Sequence, residues 1–330
     1  MENKLYTKQE VINFIRQGKI LHLSGSAENL SGLPRGKWIG GTSPYCVDKT
    51  GQVFTDKIYV DDLTDIAAGA NIESLDERNI QDVVKNSYDN GFSIIILPID
   101  SPVYYAFANN SLTFDGIFNN PVIGYVACCK FADFGKVKCM SICGTDGELT
   151  DQRAAVMHIK LPKDKIARTE IMNFDKIDTN SAELVFPKSG FVQSECLING
   201  KPGNIADYLD SVKLPNGAFP QMITSMNGAL VNRDIKYVNV DKGEAAFFSP
   251  VYENDKYYLI KTENDYQTEF NQRIAAKQNK VSICFACTSY FMLGDFEGKK
   301  IDQNGIYAFG EISYQLLNKT IVTLEIDDVK

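Results

Sequence analysis

Histidine is the side chain most often used to move a proton at neutral pH, and this chain of 330 residues has two, His22 and His158. Each alternates with apolar neighbours (Leu21 and Leu23, Met157 and Ile159), as a strand residue does. Neither adjoins a serine or cysteine in a nucleophile arrangement, so both read as satisfied strand histidines. Glu311 differs. It follows the run Gly305-Ile-Tyr-Ala-Phe-Gly310, apolar on both faces of a strand. An ionised carboxylate there costs several kcal/mol unless a ligand cation, an arginine or backbone donors meet it. Gly36–Tyr45 reads as an apolar strand running into a glycine-rich turn, Gly40–Tyr45, in which Gly41 and Thr42 would let a ligand approach the backbone. Cys287 ends a strand-like run that begins at Val281.

Two cysteine spacings invite a metal reading, Cys284 with Cys287 and Cys139 with Cys143. On a strand, residues three apart face opposite ways, so Cys284 and Cys287 cannot reach one ion. No metal and no cofactor is expected. The chain has no Gly-x-Ser-x-Gly elbow, no His-Glu-x-x-His and no phosphate-binding Walker loop.

The elements that would position these groups follow from capping and periodicity. Thr7 and Glu10 form a capping box ahead of a helix carrying Val11, Phe14 and Ile15. Strands are expected over Lys19–Ser24, Lys57–Leu63, Phe92–Ile99 and Pro121–Cys128, with helices over Glu77–Asn90 and Val103–Ala108. Beyond these, alternating segments dominate, with helices over Asn204–Ser211 and Asp265–Lys277 and long strands over Val281–Met292 and Gly305–Ile326. The pattern predicts an α/β to α+β protein of two domains, 1–175 and 176–330, with mixed sheets covered by helices and a strand-rich C-terminal domain. No internal repeat is visible.

Composition narrows the function classes. A net charge of −8 with scattered lysines and arginines disfavours a nucleic-acid surface. No apolar run approaches membrane-spanning length and no secretory leader opens the chain, so a cytoplasmic protein is expected.

Several segments together are similar to the FIST sensory-domain family. They are Phe285-Ala-Cys287, Gly310-Glu-Ile312, Asn318-Lys-Thr320, the run Leu197–Leu209, Trp38-Ile-Gly-Gly-Thr42 with Ile58-Tyr-Val60, and Val122-Ile-Gly124. The form Gly-x-Trp-Ile-Gly-Gly-Thr-x-Pro-Tyr (Gly36–Tyr45) resembles more closely still a bacterial family of unknown function. The resemblance implies an intracellular sensor of a small ligand such as an amino acid, acting on a signalling protein in trans. Ser289-Tyr290 and Gly41-Thr-Ser43 stand where that family carries an arginine and a Cys-Ser-Thr.

The expected site thus comprises Gly41, Thr42, Phe285, Cys287, Gly310, Glu311 and Asn318, binding a small molecule without catalysis. The alternatives are an enzyme using Cys287 as nucleophile or Glu311 as general acid/base on a small acyl or amino substrate, and a haem-binding sensor using His22 or His158.

Overall fold

The computed structural model describes residues 4–214, 217–226, 228–261, 265–277 and 281–329. Strand accounts for 43% of the chain and helix for 17%, so the fold is α+β and strand-rich, with several mixed sheets and few covering helices. No helix among the described residues is long and apolar enough to cross a membrane.

The chain forms two compact units, which do not follow the expected division at 175/176. The first contains Met1–Ile171, Tyr266–Leu316 and Ile321–Lys330; the second contains Met172–Asp265 and Leu317–Thr320. The C-terminal segment expected to end the second domain therefore belongs mostly to the first.

The first unit holds three six-stranded sheets, and each repeats one strand order. At the heart of each is a parallel pair joined through a helix. These pairs are Leu21–Gly25 with Trp38–Thr42, Gly91–Pro98 with Val122–Ala127, and Val281–Cys287 with Gly305–Ala308. An antiparallel return strand flanks the first member of each pair: Ile58–Asp62, Ala154–Lys160 and Ile321–Asp328. An edge strand follows on that side, Leu5–Tyr6, Gly69–Leu75 or Lys165–Met172. The other flank is closed by a hairpin from a different repeat. Tyr45–Val53 leaves the first pair and joins the third sheet, residues 141–150 leave the second and join the first, and Glu311–Leu317 leaves the third and joins the second. The three sheets thus exchange hairpins in a closed ring. The second unit is an insertion in the third repeat, between its edge strand and its parallel pair.

This repeat is absent from the sequence because a strand buried on both faces requires only a run of small or apolar residues, which Trp38–Thr42, Val122–Ala127 and Gly305–Ala308 supply with different residues. The local elements hold more simply. The capping box is present, with Glu10 accepting from the Thr7 backbone at 2.8 Å, and the helix spans Lys8–Arg16. Glu77–Asn90 is not a helix. Asp76 and Asn79 bond neighbouring backbone, and only the short 3-10 turn Ile80–Asp82 forms. Gly40 and Gly41 lie inside a strand rather than a turn. The long strands expected over Val281–Met292 and Gly305–Ile326 break: the first gives way to a helix over Thr288–Leu293, the second at residues 309–310, 314 and 318–320. Tyr314 and Lys319 hold positive φ at two of those breaks.

The second unit has its own core, including Leu184, Phe186, Leu209, Met222, Phe247 and Tyr257. A seven-stranded and a three-stranded sheet build it, with the helix Ile205–Ser211 capped by the Asn204 side chain.

Candidate functional site

In mixed sheets, ligands favour the crevice beyond the carboxyl ends of parallel strands. In the first unit, Leu21–Gly25 and Trp38–Thr42 end side by side, and Val122–Ala127 delivers Cys128 and Cys129 to the same place. Thr42 joins these ends. Its carbonyl accepts from the Cys128 N–H at 2.7 Å, its N–H donates to Met140 O at 2.9 Å, and its Oγ1 accepts from the Met140 N–H at 3.0 Å. A cleft of about 240 Å³ opens here, with Ser26, Thr42, Ser43, Cys129, Lys130 and Asp133 among its lining residues. The third repeat supports one wall. Ser43 Oγ donates to Tyr307 O at 2.7 Å, and the Cys128 thiol donates to Ser43 Oγ at 3.2 Å. Burial holds that thiol well above its ordinary range, with the Ser43 bond opposing, so Cys128 stays protonated. Phe131 and Phe134 each meet the Phe309 ring with centres 5.3 Å apart, the first tilted and the second edge-on.

Of the expected residues, Thr42 lines this cleft. Gly41 faces the core. A Cβ there would sit 2.5 Å from Ile96 Cγ2 and 2.8 Å from Tyr125 Oη, so its missing side chain makes room for neighbouring side chains. Gly41→Ala should destabilise the first unit by about 1–3 kcal/mol, measured by urea unfolding; an unchanged midpoint would show that Tyr125 can turn away. Phe285 is buried, its ring edge-on to His22 at 5.3 Å. The Cys287 thiol donates to Ser289 Oγ at 3.4 Å. Gly310 O accepts from the Val126 N–H at 2.9 Å. Glu311 is fully buried in the strand Glu311–Ser313, opposite Tyr125. Its charge helps hold the Cys284 thiol in its protonated form, after burial and the charge of Asp61. Asn318 belongs to the second unit, where its Oδ1 accepts from the Ser249 hydroxyl. Of the seven expected residues, only Thr42 is among those lining the cleft.

The histidines are buried as well. His22 Nδ1 lies 3.0 Å from Asp61 Oδ2, and Lys4 Nζ meets Asp61 at 3.2 Å. Burial alone would raise the Asp61 carboxyl, but Lys4 and His22 outweigh it and hold the group below the usual range. His158 has both ring nitrogens engaged, Nδ1 with Ser93 Oγ and Nε2 with Glu73 Oε1, each at 2.7 Å. This line of serine, histidine and glutamate has the members of a hydrolytic triad, yet Ser93 is only 1% exposed in the middle of a strand. A nucleophile must reach its substrate, so the line reads as a cross-strand lock. A haem iron could take His158 only by displacing Ser93 or Glu73. All eight cysteines are free thiols. Among the described residues no group of three or more His, Cys, Asp or Glu could hold a metal ion.

Ser43, Cys128, Cys129, Lys130 and Asp133 escaped the sequence reading. The available signal was a cysteine pair directly after an all-apolar strand, where α/β sheets place ligands.

The second unit carries a buried ionic cluster of its own. Lys319 Nζ meets Asp175 Oδ2 at 2.9 Å, Asn232 Nδ2 donates to the same oxygen at 2.7 Å, and the Arg233 guanidinium lies 5.5 Å from the Tyr252 ring centre. Burial pushes the nearby Asp234 up to about 6, with Asp175 adding to it and Lys319 and Arg233 opposing. A raised folded value means that the neutral form favours folding. The cost is therefore absent below the unfolded carboxylate range near 4 and complete above about 6. Asp234→Asn should raise stability at pH 7 by up to ~3 kcal/mol, and the gain should vanish near pH 4. Denaturant titrations at the two pH values check it; an equal gain at both would assign the effect to something other than ionisation.

No curated protein matches the chain. A family model matches residues 6–327, and the chain belongs to that family, a family of unknown function (DUF6976).

Proposed function

We propose that this protein binds a small zwitterionic metabolite of the amino-acid class in the cleft beyond Thr42, and that it serves as a sensor read by a signalling partner. The observation that carries this reading is the cleft's lining. The side chains of Ser26 and Thr42 can orient a polar ligand, Lys130 offers a cation to a carboxylate, and Asp133 offers an anion to an ammonium. Its volume of about 240 Å³ suits a metabolite rather than a larger cofactor. The second lysine of the rim, Lys138, is engaged with Asp151 at 2.6 Å, which leaves the carboxylate role to Lys130. The resemblance to FIST sensors points the same way.

Isothermal titration with the common α-amino acids tests the reading. At least one should bind, and both Lys130→Ala and Asp133→Ala should weaken it roughly tenfold or more, the worth of a charged hydrogen bond. Binding that survives both substitutions, or no binding across the panel, would remove the assignment.

A further inference from the structure

The three repeats of the first unit pass from parallel pair to hairpin by unequal connections. Two residues suffice in the first (43–44) and in the third (309–310), whereas the second uses thirteen, 128–140. Its surplus is a loop at the rim of the cleft, where it supplies Lys130, Asp133 and Lys138. The neck of this loop is pinned, because Cys128 and Met140 bond to opposite sides of one residue, Thr42. Just inside the neck, each next to one of the two residues that Thr42 holds, stand Cys129 and Cys139, close enough for each thiol to perturb the other. Neither the first nor the third repeat has any residue in the place of this pair.

We propose that Cys129 and Cys139 form a reversible disulfide that straps the inserted loop shut at its neck. Two neighbouring thiols, on backbone whose adjoining residues are both held by Thr42, need little movement to reach bonding distance. Cys128 is the wrong partner, since its thiol turns inward to Ser43 and Tyr307 O. The oxidant is a small disulfide of the glutathione type. Cys129, which lines the cleft, loses its proton to solvent and attacks one sulfur of that reagent, expelling one thiolate that takes up a proton. Cys139, deprotonated in turn, attacks the Cys129 sulfur of the mixed disulfide and expels the second thiol. Two electrons pass from the cysteine pair to the reagent, leaving one protein disulfide and two small thiols. Burial holds both cysteines above the ordinary thiol range, so the exchange should quicken as pH rises from 7 to 9.

The pairing does not rest on the proposed binding function. The test therefore uses no ligand. The full chain is incubated with oxidised glutathione at pH 8, its remaining thiols are alkylated after unfolding, and the peptides are mapped without reduction. A single Cys129–Cys139 link, with the other six cysteines alkylated, is expected. Eight alkylated cysteines, or a dominant link through Cys128, would overturn the proposal. Cys139→Ser should stop at one glutathione adduct on Cys129, and Cys129→Ser should take none at Cys139; the reverse pattern counts against the assigned order of attack. Hydrogen exchange across residues 130–138 should slow at least tenfold on oxidation, and unchanged exchange would refute the strap.

Discussion

Gly124→Ala should cost the first unit most of its stability. Gly124 sits in the middle of Val122–Ala127, opposite Ile95 on the parallel side and Ile312 on the antiparallel side. A Cβ there would lie 1.8 Å from Ile95 O and 2.8 Å from Ile95 C. These are backbone atoms of a neighbouring strand, and no rotamer change moves them aside. The strands must part, which lengthens ladder bonds in a sheet buried on both faces. Ordinary overpacking against side chains costs about 1–3 kcal/mol, and this substitution should exceed that range. Against a typical total of 5–15 kcal/mol, the loss is large. Because the same strand delivers Cys128 and Cys129, the cleft should go with it. Urea unfolding followed by circular dichroism, with hydrogen exchange over residues 91–98, measures the effect; a loss under about 1 kcal/mol would mean that the close approach is relieved without separating the strands.

Lys319→Met should be comparably damaging in the second unit. Lys319 is 5% exposed and its partner Asp175 is 1% exposed, so the substitution strands a buried carboxylate beside Asp234. Removing one member of a buried pair costs about 3–5 kcal/mol. The segment Leu317–Thr320 is the only part of the C-terminal stretch that belongs to this unit, and Asn318 and the Lys319 carbonyl are also bonded there. Adding Asp175→Asn should return much of the loss, because no buried charge is then left alone. Hydrogen exchange over residues 172–261 separates this effect from unfolding of the first unit. A double variant no better than Lys319→Met would show that the methionine fails by packing and not by charge.

The amino-acid pattern determined the local elements where signals lie close together in the chain. Thr7 with Glu10 placed a helix, and the two-faced apolar run Phe92–Ile99 placed a central strand. It also placed Glu311 in the interior. Wherever a short-range signal competes with a partner elsewhere, the pattern fails. Glu77–Asn90 reads as a helix because its apolar spacing permits one, yet its Asp and Asn side chains bond backbone locally.

The glycines show most clearly what tertiary structure decided. Gly41 invites a ligand reading because a bare backbone permits close approach, but whether a ligand or Tyr125 takes the space depends on a strand more than 80 positions away. Thr42, its neighbour, points the other way and lines the cleft, as alternation along a strand requires. The ring of exchanged hairpins was likewise invisible, since it rests on backbone pairing that dissimilar apolar residues satisfy equally well. That ring brings Thr42, Cys128 and Tyr307 together from three distant stretches, and with them Cys129 and Cys139 at the neck of the one long connection. Composition and periodicity determined that this chain would form strand-rich mixed sheets. Which ends of those strands meet, and so where the cleft opens, was decided by hydrogen bonds between residues that no sequence window contains together.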